Sequence, residues 1–414
     1  MNEASVNIDN SNDIVNYDDK HAIIALCAIF IYNPLIVIGS VFSYKFFPWF
    51  RRIDMPLYLS VLFFIYFWAV FLKKLPLKKD MILFPVFILV LWFSSYLFNP
   101  ENRPHLYMPF FYLVSQTLPA YFFARAVYRY DILLEHFKNI SVFIILFAAL
   151  SLFVKATDER FLEYNMVFSY VILIPVLILI SEVYKRTNVT IILIAIMGIL
   201  IIFANGSRGA SLSVAFFFLT FSIFNLDKRI SKYAILFSIL LAFFVLSKGF
   251  YNYGTELALF LEDHGIKSRT LNKILLDQIG WDNGRMDFLK NSYDIFKNNL
   301  LFGLGMAGDR ISIAEKFHTT NISYSHNILL EIFIQYGLFL GSIFILSIFF
   351  IIYNAIKVTK EHSPSTRILL LILLPVACVK LMISSTYIAE IPFFIILALG
   401  VSSLNKQNST NIEI

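Results

Sequence analysis

Apolar residues fall along this chain in long blocks, with short polar groups between them, and the pattern has neither a helical nor a strand period within each block. Windows of about 19 residues predict apolar spans near 22–44, 54–72, 81–98, 107–124, 140–154, 166–183, 189–204, 209–225, 233–247, 327–353, 368–384 and 388–404. Blocks of this length are what an α-helix needs to cross hydrocarbon, where every backbone polar group must be satisfied within the segment. Pro34, Pro109 and Pro119 interrupt the first and fourth spans, which can therefore be kinked or re-entrant. One long polar segment, 248–326, separates the ninth span from the tenth. The expected fold class is an all-α polytopic membrane protein of about 12 transmembrane helices, with one long external loop containing an amphipathic helix.

Composition supports that reading. Of the 414 residues 58% are apolar and 15% charged, against roughly 45–50% and about 25% in a soluble domain. Such a chain, with mean hydropathy +0.72, has too little interior to hide its apolar surface from water. The formal charge of +6 does not indicate nucleic acid, because Lys and Arg sit in short groups between spans and form no basic stripe. Cys27 and Cys378 both lie inside apolar runs, where a small hydrophobe is the expected role and a disulfide is not.

Lys and Arg also set the orientation. With the N-terminus inside, the cytoplasmic segments carry 17 of them and the short external segments eight, the other nine lying in the long loop. The expected organisation is a cytoplasmic tail at 1–20, spans one to nine at 21–247, a periplasmic loop at 248–326, spans ten to twelve at 327–404 and a second cytoplasmic tail at 405–414. The first tail is acidic and Asn-rich and lacks the basic start and small-residue cleavage site of a signal peptide. The halves are unequal and no repeat is visible, which weakens a transporter built from matched halves.

Three features fall on the external side. Asn205-Gly206-Ser207-Arg208-Gly209-Ala210-Ser211-Leu212 reads as a tight turn capped by Ser207, with Arg208 in the first turn of the next helix. Free N–H groups and the positive dipole end favour an anion there, and a guanidinium would complete a phosphate site; an Arg merely snorkelling to headgroups is the other reading. Residues 284–299 form an amphipathic helix with Phe288, Leu289, Ser292, Tyr293, Phe296 and Leu300 on one side and Asp287, Lys290, Asn291, Asp294, Lys297 and Asn298 on the other. Arg285 lies four residues before Leu289, where it could reach a covered cavity or pair with surface charges. In Tyr324-Ser325-His326-Asn327, Ser325 can cap the tenth span and leave His326 in its first turn, as a neutral general base or as a structural hydrogen-bonder. Glu331, five residues on, does not share its face. Lys380 is a further candidate, since an unpaired ammonium within an apolar run is costly unless it snorkels.

The chain has no Walker loop, no Asp-x-Asp, no paired metal-ligand spacing and no Gly-x-Ser-x-Gly turn. An outward-facing enzyme without a nucleotide or metal needs a donor already activated, and a bilayer supplies one as a lipid-linked diphosphate.

Asn205–Leu212, Gly284-Arg285-Met286-Asp287-Phe288 with Asn299-Leu300-Leu301-Phe302-Gly303-Leu304-Gly305, and Ser325-His326-Asn327-Ile328-Leu329-Leu330-Glu331 through Leu338 together resemble the core of the O-antigen polymerase and ligase superfamily, over roughly residues 190–350. The resemblance implies a bacterial inner-membrane glycosyltransferase of lipopolysaccharide or surface-polysaccharide biosynthesis that uses undecaprenyl-diphosphate-linked oligosaccharides as donor and acceptor. It implies no cofactor and no metal. It implies that Arg208 and Arg285 hold the donor diphosphate and that His326 deprotonates the acceptor hydroxyl, with Tyr324 and Lys380 as additional site residues. Membrane lipids, a chain-length regulator and a flippase are the implied partners. The polymerase is the favoured expectation, a ligase transferring glycan to lipid A-core is the alternative, and a lipid-linked oligosaccharide flippase is the reading from another class.

Overall fold

The structure, a computed structural model, describes residues 19–47, 54–72, 75, 77–156, 166–185, 188–205, 207–225, 256, 259, 285–317, 324–362 and 364–410. The ninth predicted span, 233–247, and much of the long loop lie outside them.

The described residues are helical or in short turns, with no strand among them. The helices are α1 (Lys20–Phe46), α2 (Asp54–Phe67, extended by a π turn to Leu72), α3 (Lys79–Phe98), α4 (Arg103–Tyr112), α5 (Leu118–Ala126), α6 (Tyr130–Ala156), α7 (Met166–Lys185), α8 (Val189–Ala204), α9 (Arg208–Asn225), α10 (Arg285–Asn298), α11 (Gly308–Phe317), α12 (Ile328–His362), α13 (Pro364–Ile383) and α14 (Ile391–Thr410). Eleven of the twelve predicted spans thus fall on helix. Among the described residues six helices are long and apolar enough to cross a membrane, α1, α3, α6, α7, α12 and α13, and four more apolar helices are shorter. The expected count of about twelve is not reached by that measure.

The proline-bearing spans behave differently from each other. α1 continues as helix through Pro34, whereas the fourth span is divided into α4, a π turn at Leu113–Thr117 and α5. Pro119 falls in the first turn of α5, which continues the π turn, and its missing N–H leaves the Ser115 carbonyl four residues back without that helical donor. The loosened backbone at the π turn is taken up from outside, with Tyr66 Oη donating to the Ser115 carbonyl at 2.8 Å.

α7 and α13 are the most deeply enclosed spans. Their core is Ile172, Leu173, Val176 and Leu177 of α7 with Leu369, Ile372 and Leu373 of α13, all buried. α3 and the outer part of α12 lie at the periphery and present Leu83, Val86, Phe87, Phe339, Leu346 and Phe349 outward. A peripheral helix bears lipid-facing hydrophobes, which in water would be an aggregation hazard.

The two ends of the bundle differ in chemistry. At one end Arg125, at the foot of α5, is buried between Asp80 of α3 and Ser402 of α14. Asp19, placed by the sequence in the N-terminal tail, is itself buried and accepts the backbone N–H groups of Tyr128 and Arg129, each at 2.8 Å. At the opposite end the turns are uncharged or acid-rich and stitched by main-chain bonds. Met306 N–H donates to Ser95 Oγ at 2.7 Å, and Asn102 Nδ2 to the Leu304 carbonyl at 2.7 Å, which tie the loop before α11 to the end of α3.

α12 is broken at Gly337, whose φ of 71° and ψ of −178° are not helical. The break strands carbonyls in its first two and a half turns, and a second segment satisfies them: Leu304 N–H donates to Ile334 O and Gly305 N–H to Gln335 O, both at 2.8 Å, while Leu338 N–H returns a bond to Leu300 O at 2.7 Å. A Cβ at Gly337 would stand 2.2 Å from Leu301 O. Replacing Gly337 with Ala should therefore cost at least about 1–3 kcal/mol from the left-handed backbone alone, seen as a lower midpoint of thermal unfolding in detergent. Gly39→Ala in α1, where the new methyl meets only Tyr58 Oη at 3.8 Å, should leave the midpoint where it was.

Candidate active site

The site is built at the end of the bundle opposite Arg125. Ser207 caps α9 as its sequence suggests, its hydroxyl accepting from Ala210 N–H at a long 3.5 Å, and Arg208 is the first residue of the helix. The next residue, Gly209, packs against Tyr170 of α7 so closely that a Cβ there would lie 1.9 Å from Tyr170 Oη and 3.8 Å from Ser384 Oγ. Tyr170 Oη and Ser384 Oγ are hydrogen-bonded at 2.6 Å. Tyr324 Oη donates to the Ser384 carbonyl at 2.8 Å, and the Tyr324 ring lies against the His326 ring with centroids 4.4 Å apart. On its other side His326 meets the Phe288 ring edge-on at 5.7 Å. Phe288 is one turn beyond Arg285, which begins α10. A continuous line of contacts thus joins the starts of α9 and α10 through Tyr170, Ser384, Tyr324 and His326. The side chains of Arg208 and Arg285 lie outside the described atoms, so only their backbone positions enter here, and Gly206 and Gly284 of the two motifs lie outside the described residues.

His326 does not stand where the sequence suggests. α12 begins at Ile328, and its cap is Asn327, whose Oδ1 accepts from Leu329 N–H at 3.1 Å and Leu330 N–H at 3.2 Å. Ser325 has another use: its Oγ donates to the Asn327 carbonyl at 3.2 Å and its N–H donates to Asp309 Oδ2, also at 3.2 Å. His326 therefore precedes the helix, in the left-handed region with φ of 53°. Asn competes well with Ser at a cap, and spacing alone did not separate them.

α10 is amphipathic, as its sequence shows, and Phe288, Leu289, Ser292 and Phe296 lie on its inward face as expected, but Tyr293 and Leu300 do not. Ser292 and Ile295 are buried, and Tyr293 and Leu300 are exposed. Ile295 packs with Ile313 of α11 and Ile334 of α12, flanked by Phe288, Phe296, Leu304 and Leu330. Protein covers the inward face of this helix.

Lys380 is not isolated. Its Nζ pairs with Glu390 Oε2 at 2.8 Å, the Glu side chain being only 3% exposed, and it stands 5.1 Å from the centre of the Tyr170 ring. The cost of a lone ammonium argued from the sequence does not arise, because a ten-residue return of the chain supplies the counter-charge. The pair lines a cavity of about 420 Å³ together with Tyr170, Tyr324, Asn33, Gln116 and aliphatic side chains of α1, α7 and α13. Burial and the nearby carboxylates of Glu331 and Glu390 push the Tyr324 phenol up, so that it remains a donor.

Beneath His326 lies a polar network that sequence motifs did not signal. Asp309, in the first turn of α11 and fully buried, accepts from Ser325 N–H and from Gln335 Nε2, the latter at 3.0 Å. Burial raises its carboxyl, against the pull of Arg310 and of both donors. Glu331, also fully buried, accepts from Thr386 Oγ1, Tyr387 N–H and Gln335 Nε2. A charge inside a predicted span was the available signal for Glu331; for Asp309, one acid in a loop of mixed charges, there was none.

Residues 192–345 match a family model described as O-antigen ligase. Over that segment the match supports the resemblance to the O-antigen polymerase and ligase superfamily. No curated protein and no solved structure gives a significant match to the chain. The matched segment runs from α8 into α12 and contains Arg208, Arg285 and His326, while Tyr170, Lys380, Ser384 and Glu390 come from outside it. Members of that family are glycosyltransferase-type enzymes of glycan biosynthesis, and the match lies within a bundle of apolar helices.

The closest approach in the site gives its test. Gly209→Ala should force Tyr170 aside and break its bond to Ser384, lowering both thermal stability and activity. Adding Tyr170→Phe removes the atom at 1.9 Å and leaves the next at 3.1 Å. The double variant should then regain most of the stability lost by the single one, measured as unfolding midpoints of the purified proteins.

Proposed function

We propose that this chain is an inverting, metal-independent glycosyltransferase that takes an undecaprenyl-diphosphate-linked glycan as donor and polymerises O-antigen repeat units at the periplasmic face of the inner membrane. The observation that carries the reading is the line of contacts from Gly209 through Tyr170, Ser384 and Tyr324 to His326 and Phe288. It links two helix starts, each opening on an Arg, through neighbours of one imidazole. Helix N-termini and guanidiniums suit a diphosphate, and an imidazole suits the hydroxyl that attacks.

In the reaction, His326 accepts the proton of the acceptor hydroxyl as that oxygen bonds to the anomeric carbon of the donor. The bond from that carbon to the diphosphate oxygen breaks, and its electron pair leaves on the diphosphate. Arg208 and Arg285 neutralise the charge that grows there, and attack opposite the leaving group inverts the anomeric centre. The cavity beside Tyr324, lined mostly by apolar side chains together with Lys380 and Glu390, suits a substrate that is part lipid and part sugar. Both termini would lie in the cytoplasm, and a flippase and a chain-length regulator would be the working partners. The ligase, which uses the same donor and the lipid A-core as acceptor, fits the same site.

Arg208→Ala or Arg285→Ala, with the protein present in the membrane at normal levels, should lower turnover by about a hundredfold or more, as removal of one charge-stabilising donor does elsewhere. Full-length polysaccharide from either variant would remove the assignment. The polysaccharide of a deletion strain separates the two activities: single repeat units on the core mark a lost polymerase, and long chains left on the carrier lipid mark a lost ligase. Purified protein in liposomes that extends a lipid-linked glycan without a gradient or nucleotide is an enzyme and not a transporter.

A further inference from the structure

Among the described residues two that are not glycine have positive φ, Ala307 at 64° and His326 at 53°. Neither type is at ease there, since a Cβ crowds the carbonyl in the left-handed region, and such a conformation persists only where its surroundings over-determine it. The two lie in different segments, one before α11 and one before α12, and a single side chain joins them. Asp309, two residues after Ala307, accepts the N–H of Ser325, the residue before His326, at 3.2 Å. Its other oxygen is held by Gln335 Nε2 at 3.0 Å, from the half of α12 that precedes the break at Gly337.

His326 is thus clamped from both directions along the chain. The peptide before it is held by Asp309; the residue after it, Asn327, is held by capping two N–H groups of α12, and Ser325 Oγ bridges across to the Asn327 carbonyl. The capping bonds and the bridge are local and come with the sequence 325–330. The bond to Asp309 is the one that ties this turn to the loop following α10, and hence to the helix that Arg285 opens. Asp309 is itself fixed, being fully buried behind Ala307, which is also fully buried. A buried carboxylate accepting a backbone N–H is a directional tether, and one at this place sets where the imidazole points.

We infer that Asp309 is a positioning residue for His326: by holding the Ser325 N–H it keeps the His326 backbone left-handed and the imidazole between Tyr324 and Phe288. The inference rests on the proposed role of His326 for its bearing on catalysis, but its geometry can be read without any activity.

The test uses the full-length protein in nanodiscs and diethyl pyrocarbonate as the probe, with the rate of His326 modification followed by mass spectrometry and exposed His136 at the other end of the bundle as the internal standard. In Asp309→Ala the His326 rate should change at least threefold while that of His136 holds. In Asp309→Asn, which keeps an acceptor oxygen, it should return to within twofold of the parent. Should Asp309→Ala not fold, Gln335→Leu loosens the same carboxylate and should shift the rate in the same direction. An unchanged His326 rate in a folded Asp309→Ala or Gln335→Leu protein overturns the inference. Turnover supplies the second arm: Asp309→Ala should lower kcat tenfold or more with KM nearly unchanged, and should add nothing to His326→Ala. A further loss in the double variant would mean that Asp309 acts on the fold at large and not through His326. If His326→Ala kept full turnover, the proposed function would fall, while the labelling rates would still decide the positioning claim.

Discussion

The break in α12 at Gly337 is the constraint on which the rest of this end of the molecule depends. A helix interrupted near a bilayer exposes carbonyls that lipid cannot satisfy, and here Leu304 and Gly305 supply the missing donors while Leu300 accepts from Leu338. Those three bonds lay the loop after α10 alongside the broken helix. Once that loop is seated, α10 is bound at its far end, α11 starts beside the half-helix Ile328–Tyr336, and Asp309 comes within reach of Ser325. The glycines at 303, 305 and 337, all with positive φ, permit an approach that any side chain would block.

A second consequence is the separation of two kinds of polar chemistry. Arg125 and Asp19 lock the other end of the bundle through direct charge contacts to Asp80 and Arg129. The end that bears His326 relies more on backbone bonds, hydroxyls and carboxylates held by neutral donors, as at Asp309 and Glu331, with Lys380–Glu390 as an ion pair beside the cavity.

Much of the fold was legible because hydrophobic blocks have one reading in a chain of this composition. Eleven predicted spans fall on helices to within a few residues, even where Pro34 lies inside one. The choice of cap was less legible: Ser325 and Asn327 are both good caps two residues apart, and in the fold Ser325 Oγ turns to the Asn327 carbonyl while Asn327 Oδ1 takes the helix N–H groups. The face of α10 was misjudged at Tyr293 and Leu300 because a pattern of apolar residues does not say which neighbour arrives; Ile313 and Ile334 arrived opposite Ile295.

The sequence by itself determined that this is a membrane protein, where its helices run and which short motifs carry an Arg or a His, since lipid and backbone chemistry act on each segment locally and leave a local record. Only the tertiary structure decided that Lys380 has Glu390 for a partner, that Tyr170 and Ser384 stand between α9 and Tyr324, and that Asp309 holds the turn of His326. Those contacts join residues as much as 214 positions apart, and one polar residue among many carries no mark of the distant group that folding will bring to it.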